Sequence, residues 1–230
     1  MVDIGQYNKE PALYGKLVEE LYQRYPDGVT LPPEYADFVQ NNTLQILIRL
    51  ARYKFVARLI KKSDRLLEVG SGSGLGAMFL AQHCAHVTGL ELKVTEVEEA
   101  KTINKRDNVA FVCANLFDYQ PEHRFDVVVC LDVIEHLVKE EGVRLVQTMA
   151  SLLKPSGMLV VGSPSIHSYP YQGPLSQASH VHCYDQPELL ALVDTYCTRT
   201  LAFSMNDETV HTGFHKLAWY YIVLGFSSKI

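Results

Sequence analysis

The sequence predicts an α/β protein: a doubly wound sheet, mostly parallel, preceded by helices. Three observations lead there. Short apolar runs alternate with helical patterns between residues 65 and 162. A glycine-rich turn joins the first run to the helix after it. The segment before that turn repeats its apolar residues at helical spacing. Strand–helix alternation of this kind argues for a parallel sheet with helices on both faces.

The elements follow in order. Residues 8–60 read as helical: Leu13, Leu17, Leu21 and Tyr22 recur at helical spacing until Pro26-Asp27-Gly28 interrupts them. A second helix starts after Pro32-Pro33 and carries Phe38, Leu44, Ile46, Leu47, Leu50 and Phe55. Strands are expected at 65–70, 86–90, 109–112, 125–131 and 157–162, with helices at 75–84, 94–104 and 138–153 between them. The stretch Ser163 to Ser179 is rich in Pro, Ser, Gly and Tyr, and a loop that long is usually functional or mobile. Asp185 is placed to cap a helix over 186–195. Two strand-like runs close the chain, 198–205 and 216–226, around a polar loop from Asn206 to Gly213.

The chain has 230 residues, enough for one α/β domain with a sizeable core. With 47% apolar and 20% charged residues it has the composition of a soluble globular protein. A net charge of −5 offers no general attraction to nucleic acid or anionic membrane. No apolar run reaches the length of a membrane span, and Met1 to Gly5 lacks an export signal. The five cysteines form no metal clip and, being odd in number, no disulfide framework; Cys113 and Cys130 are expected as buried thiols. The reading is a cytoplasmic protein.

Chemistry concentrates in Glu68-Val69-Gly70-Ser71-Gly72-Ser73-Gly74-Leu75-Gly76. Glycine tolerates positive φ and has no Cβ to hold a ligand away from the backbone. The following helix offers unpaired N–H groups and a partial positive end. An adenosine-type cofactor suits such a turn. Gly72-x-Gly74-x-x-Ala77 also fits a dinucleotide fingerprint, so NAD or FAD stays open on this evidence. Glu91, at the tip of the second strand, could accept hydrogen bonds from both ribose hydroxyls.

Glu68-x-Gly70-x-Gly72-x-Gly74 resembles motif I of the class I S-adenosylmethionine (SAM) methyltransferases. Asp126 to Leu137 resembles their fourth strand and its turn, and Leu152-Leu153-Lys154-Pro155-Ser156-Gly157-Met158-Leu159 their junction into strand five. The resemblance spans roughly residues 45–205 and favours SAM over NAD. It implies a Rossmann-like, seven-stranded sheet with one antiparallel strand. It divides the chain into a helical extension or lid at 1–60 and a SAM-binding domain at 61–230. It further implies that Gly70, Gly72 and Gly74 let the cofactor cross the backbone, and that Glu68 orients the loop or meets the ammonium through water. Glu91 would hold the ribose, Asn115 the adenine amino group and the Leu116 N–H the adenine ring. Leu131 and Asp132 would face the methionine end. Arg52 aligns with an arginine that reaches the SAM carboxylate in ubiquinone-pathway O-methyltransferases. The product is S-adenosylhomocysteine.

A sulfonium is already a good leaving group, so the enzyme must align the acceptor and exclude water. A hydroxyl acceptor gains from a general base, and histidine is the usual choice near neutral pH. Among His136, His167, His180, His182 and His211 the preferred base is His180, with His136 second. Asp132, Glu135, His136 and His180 also resemble the ligand set of metal-assisted methyltransferases; a divalent cation fits the pattern, and no metal ligand is assigned. Tyr169, Tyr171, Tyr184 and the N-terminal helices are candidates for a lid over an aromatic or sugar-like acceptor. The expected activity is methylation of a small molecule, at the oxygen of a sugar or natural product. N-methylation and a non-catalytic SAM-binding subunit are the alternatives. Neither a nucleic acid nor a membrane is expected as partner, and the helical extension could carry a homodimer.

Overall fold

The computed structural model describes residues 10–230. The expectations placed on residues 1–9, the start of the extension and the lack of an export signal, lie outside the described residues. Three helices come first: α1 (Pro11–Arg24), α2 (Pro33–Asn41) and α3 (Thr43–Ala57). The single helix expected after Pro32-Pro33 is therefore two. Asn42 breaks it with φ −155° and ψ 70°; its N–H closes α2 onto Phe38 and its carbonyl accepts from Gln45. Asparagine competes poorly for helix interiors, which favours the break there.

The strands are β1 (Arg65–Val69), β2 (His86–Glu91), β3 (Val109–Cys113), β4 (Phe125–Leu131), β5 (Leu153–Pro164), β6 (Cys197–Asn206), β7 (Thr209–His211) and β8 (Tyr220–Ser228). Between them lie α4 (Leu75–Leu80), α5 (Val94–Ile103), α6 (Lys139–Ser151), α7 (Pro174–Ser179) and α8 (Gln186–Tyr196). They form one sheet of order β3-β2-β1-β4-β5-β8-β6-β7. The first five strands are parallel, β8 is antiparallel to β5 and β6, and β7 is antiparallel to β6. The expected α/β sheet is present, with eight strands rather than seven among the described residues. The additional strand is β7, which folds the polar segment after Asn206 back along β6 as a hairpin.

Two apolar layers hold the sheet. Leu66, Val127, Val129 and Val160 face Val56 of α3, Leu80 of α4 and Val97 of α5. Leu67, Val128, Cys130 and Leu159 face Met149 of α6 and Leu189 of α8. Successive residues of a strand point to opposite faces. Because both faces are covered, β4 is continuously apolar from Val127 to Leu131 and β5 from Met158 to Val161. Leu66, Leu67 and Leu159 are fully buried, so truncating any of them to Ala would cost roughly 2–5 kcal/mol. Cys130 lies in this core, but Cys113 is exposed: β3 is the sheet edge, and Cys113 is its last residue.

Strand order reverses between β1 and β4, because β2 and β3 lie to one side and β5 to the other. The crevice beyond the strand C-termini at such a reversal is where α/β sheets bind ligands.

Candidate active site at the strand reversal

The glycine turn occupies this crevice. Gly70, Gly72 and Gly74 take φ of +72°, +52° and +88°. A Cβ on Gly70 would lie 2.2 Å from Val133 Cγ2, and one on Gly74 2.5 Å from the Phe111 ring. Conformation and space therefore both demand glycine at these two positions. The turn is tied to β2: the Gly70 and Ser71 N–H groups donate to the Leu90 carbonyl, at 2.8 and 3.1 Å. Glu91 accepts from Gly72 N–H at 3.0 Å, Leu92 N–H at 2.8 Å and Lys93 N–H at 3.0 Å. Its carboxylate thus braces the turn and opens α5. A carboxylate has about four lone-pair directions, so one is left for a ligand hydroxyl.

Glu68 is the next-to-last residue of β1, just before the turn, and is 1% exposed. Neither of its oxygens has a hydrogen-bond partner. Tyr53 of α3 stands against it across Gly76, close enough to act electrostatically without a well-formed hydrogen bond. Burial pushes the carboxyl up to about 8, against the lowering effect of Tyr53.

Asp132 follows β4 with φ +59°, a conformation unusual for a residue with a Cβ. Its N–H bonds to the Gly162 carbonyl on β5, and its carboxylate pairs with Arg52 of α3. The Arg52 guanidinium lies 3.8 Å from the centroid of the Tyr220 ring on β8. Burial disfavours the Arg52 charge, yet Asp132 and the other acidic neighbours hold its pKa above the ordinary value. Arg52 and Asp132 are thus brought together although 80 positions separate them. No local signal marks Tyr220, which sequence reasoning did not select; only sheet pairing carries it to this place.

The turn after Asp132 brings up Glu135 and His136. Glu135 is fully buried, and neither carboxylate oxygen has a hydrogen-bond partner. Burial first, and the Asp132 charge second, push its carboxyl up to about 8. Its backbone carbonyl accepts from the N–H groups of Val181, at 2.7 Å, and His182, at 3.0 Å. That grip sets His180 beside His136, with ring centroids 5.0 Å apart. His136 Nδ1 lies 3.0 Å from the Ser179 carbonyl. In a neutral ring that contact assigns the proton to Nδ1 and leaves an Nε2 lone pair free. His180 Nδ1 is buried without a partner, and its pKa is lowered by burial and then by His136.

One ligand atom from each of Glu135, His136 and His180 lies within 4.8 Å of the others. These donors fit a small divalent cation, and the unpartnered Glu135 oxygens strengthen the fit. Asp132 does not join them, because it turns to Arg52. The other histidines lie elsewhere: His167 Nε2 is 3.5 Å from Asp185, His182 Nε2 3.2 Å from Glu188, and His211 Nδ1 accepts from Gly213 N–H at 3.0 Å.

After β3, Asn115 Oδ1 accepts from Phe117 N–H at 3.0 Å and caps a short 3-10 turn over Leu116–Asp118. One lone pair of that oxygen remains for a ligand amino group. Leu116 is buried, as is Leu131 at the end of β4. The tyrosines expected as a lid correct one expectation. Tyr184 is 1% exposed and belongs to the core, and the Tyr169 hydroxyl donates to the Gln177 carbonyl, leaving Tyr171 as the exposed tyrosine of the three. Its ring meets that of Trp219, the single tryptophan, at 6.1 Å.

Comparison with known proteins agrees with this fold. Residues 67–161 match the model of a methyltransferase domain. A ubiquinone biosynthesis O-methyltransferase of Coxiella burnetii is 31% identical over 117 residues, covering 49% of this chain and 49% of that protein. One from Bradyrhizobium diazoefficiens is 33% identical over 101 residues, covering 43% and 39%. The chain thus spans about half the length, or less, of the curated relatives it matches. Among solved structures, a SAM-dependent methyltransferase of Thermotoga maritima, described as a possible histamine N-methyltransferase, superposes with a TM-score of 0.65. It is 15% identical and covers 90% of this chain and 98% of its own. The N-methyltransferase NodS of Bradyrhizobium japonicum with S-adenosylhomocysteine gives a TM-score of 0.57 at 16% identity, covering 82% and 86%. At these identities the structural likeness speaks for the fold.

Proposed function

We propose that this chain, whose residues 67–161 match a methyltransferase domain, is a class I SAM-dependent methyltransferase that methylates a hydroxyl oxygen of a small molecule, a sugar or natural product. The observation that carries the proposal is the meeting of His136, His180 and Glu135 beside the glycine turn, at the reversal of the sheet. When bound, SAM supplies an activated methyl group.

The residues divide by what each end of SAM requires. Gly70, Gly72 and Gly74 let its ribose and methionine parts lie against the backbone. Glu91 keeps one acceptor direction for a ribose hydroxyl. Asn115 and the Leu116 N–H serve the adenine. The methionine end is a zwitterion, and Arg52 and Asp132 form a partly buried pair of opposite charges. Arg52 suits the carboxylate; Asp132, the Leu131 backbone and the buried Glu68 suit the ammonium. A buried carboxyl without a partner is costly, and a cationic ligand would offset that cost at Glu68.

His180 is the proposed base. Its lowered pKa leaves it neutral and able to accept at neutral pH. His136, with a free Nε2, is the second acceptor within the same wall. Were a divalent cation bound, Glu135, His136 and His180 would hold it and acidify the acceptor hydroxyl. The net charge of −5 speaks against a nucleic-acid substrate. Cys84, Cys113, Cys130, Cys183 and Cys197 are all free thiols, which suits a cytoplasmic setting. Among the described residues no helix is long and apolar enough to cross a membrane.

The test uses SAM with a labelled methyl group, a panel of hydroxylated and amino acceptors, and the wild type beside His180→Ala. Label on oxygen, reduced about a hundredfold or more in the variant, is expected for a lost general base. Label on nitrogen with an unimpaired variant would overturn the hydroxyl reading. Absence of SAM binding in calorimetry would overturn the cofactor.

A further inference from the structure

Two hydrogen-bond donors meet beside Asp132 with nothing to bond. Arg52 gives one N–H to Asp132, but its Nε is buried without a partner. The hydroxyl of Tyr220, a residue 3% exposed, is also buried without a partner. The guanidinium lies over the Tyr220 ring, 3.8 Å from its centroid, so both orphans sit on one stacked pair. Buried donors without partners are rare in folded proteins, because each loses its hydration for no return. The fold makes room for the phenol. Tyr220 opens β8 opposite Pro164, the last residue of β5, at the end of the sheet where Asp132 bonds to Gly162. A Cβ on Gly162 would stand 2.6 Å from the phenol oxygen, and the glycine leaves that space open.

We propose that Arg52 Nε and the Tyr220 hydroxyl are the two arms of a carboxylate site, and that its occupant is the methionine carboxylate of SAM. The donors select the ligand. A guanidinium N–H can only donate. The phenol donates as well, since burial first, and the Asp132 charge second, hold its proton in place. An occupant of both arms must accept twice beside a cation. A carboxylate does so, with two oxygens and about four lone-pair directions. The ammonium of SAM has no lone pair to offer and is repelled by Arg52, while the ribose hydroxyls and the adenine carry no charge. The inference rests on SAM as the cofactor and adds Tyr220 to the residues that bind it.

Tyr220→Phe removes one oxygen and keeps the ring under Arg52. Its effect is read by calorimetry with S-adenosylhomocysteine and with the decarboxylated analogue, the same thioether ending in an aminopropyl chain. The variant should bind S-adenosylhomocysteine about tenfold more weakly, as expected for a lost hydrogen bond to a charged group. The analogue should bind wild type and variant alike, within about twofold, because it lacks the group the hydroxyl serves. Without ligand, the thermal midpoint of the variant should equal or exceed that of the wild type, since an unpaired polar group has left the interior. A hydroxyl with a structural role would lower that midpoint, or weaken both ligands by the same factor. Either result overturns the proposal, as does S-adenosylhomocysteine bound equally well by both proteins. That last outcome leaves SAM standing as the cofactor, whereas a wild type that binds neither ligand overturns the cofactor and the site together.

Discussion

Glu68→Gln isolates the physics of a buried carboxyl. Glu68 is 1% exposed, has no hydrogen-bond partner and titrates at about 8 in the folded chain, against 4.5 when free. The folded value is raised, so below pH 4.5 both states are protonated and stability is fully retained. Above it the unfolded chain ionises while the folded chain keeps its proton, and stability falls until pH passes about 8. A gap from 4.5 to about 8 corresponds to roughly 5 kcal/mol over the whole window, and about 3 kcal/mol of it lies between pH 5.5 and 8.5. Glutamine keeps the shape and cannot ionise, so this loss should vanish in the variant. Urea unfolding of both proteins across that range measures it. Glu135 titrates in both backgrounds and cancels in the difference. The wild type should lose about 3 kcal/mol more than Glu68→Gln over the range. Parallel profiles would refute the reasoning, because they would mean that Glu68 ionises in the fold without penalty. Saturating S-adenosylhomocysteine, which retains the ammonium, should flatten the wild-type profile if Glu68 faces that group.

Other outcomes follow from the same geometry. Gly70→Ala places a Cβ 2.2 Å from Val133 at φ +72°, so it should cost roughly 1–3 kcal/mol and abolish cofactor binding; Gly70→Ala/Val133→Ala should recover stability only in part, because the backbone strain remains. Arg52→Ala leaves Asp132 unpaired and uncovers Tyr220, and should raise the S-adenosylhomocysteine Kd at least about tenfold, with Arg52→Lys intermediate because a lysine cannot keep the planar stack. If Glu135, His136 and His180 hold a cation, dialysis against EDTA should cut activity and Mg²⁺ or Mn²⁺ restore it, while Glu135→Gln should be insensitive to both. Activity unchanged by chelation would assign the same residues to proton transfer alone.

Much of this protein is determined locally. The alternation of runs fixed the parallel half of the sheet, because β4 and β5 are apolar on both faces and helices must cover them. The glycines at 70 and 74 were legible because steric demand at one position is written in that position: no other residue tolerates both the conformation and the neighbours. His136 was legible as a chemical type just after β4, and His180 as one after the long loop. Other features escaped for a common reason. Asn42 splits a helix whose apolar periodicity continues through it, and β7 exists only because β6 offers it an edge. Tyr184 looked like a lid residue and is core, since a tyrosine just past a Ser- and Pro-rich stretch carries no mark of which way it faces.

The tertiary structure alone decided which residues meet. Sheet pairing and helix packing set Tyr220 under Arg52, Arg52 against Asp132, and His180 beside His136 through the Glu135 carbonyl. It also decided the ionisation of Glu68 and Glu135, because a carboxyl's pKa depends on how completely water is removed and on which charges replace it. Those are properties of packed surroundings, and no single position in a sequence contains them.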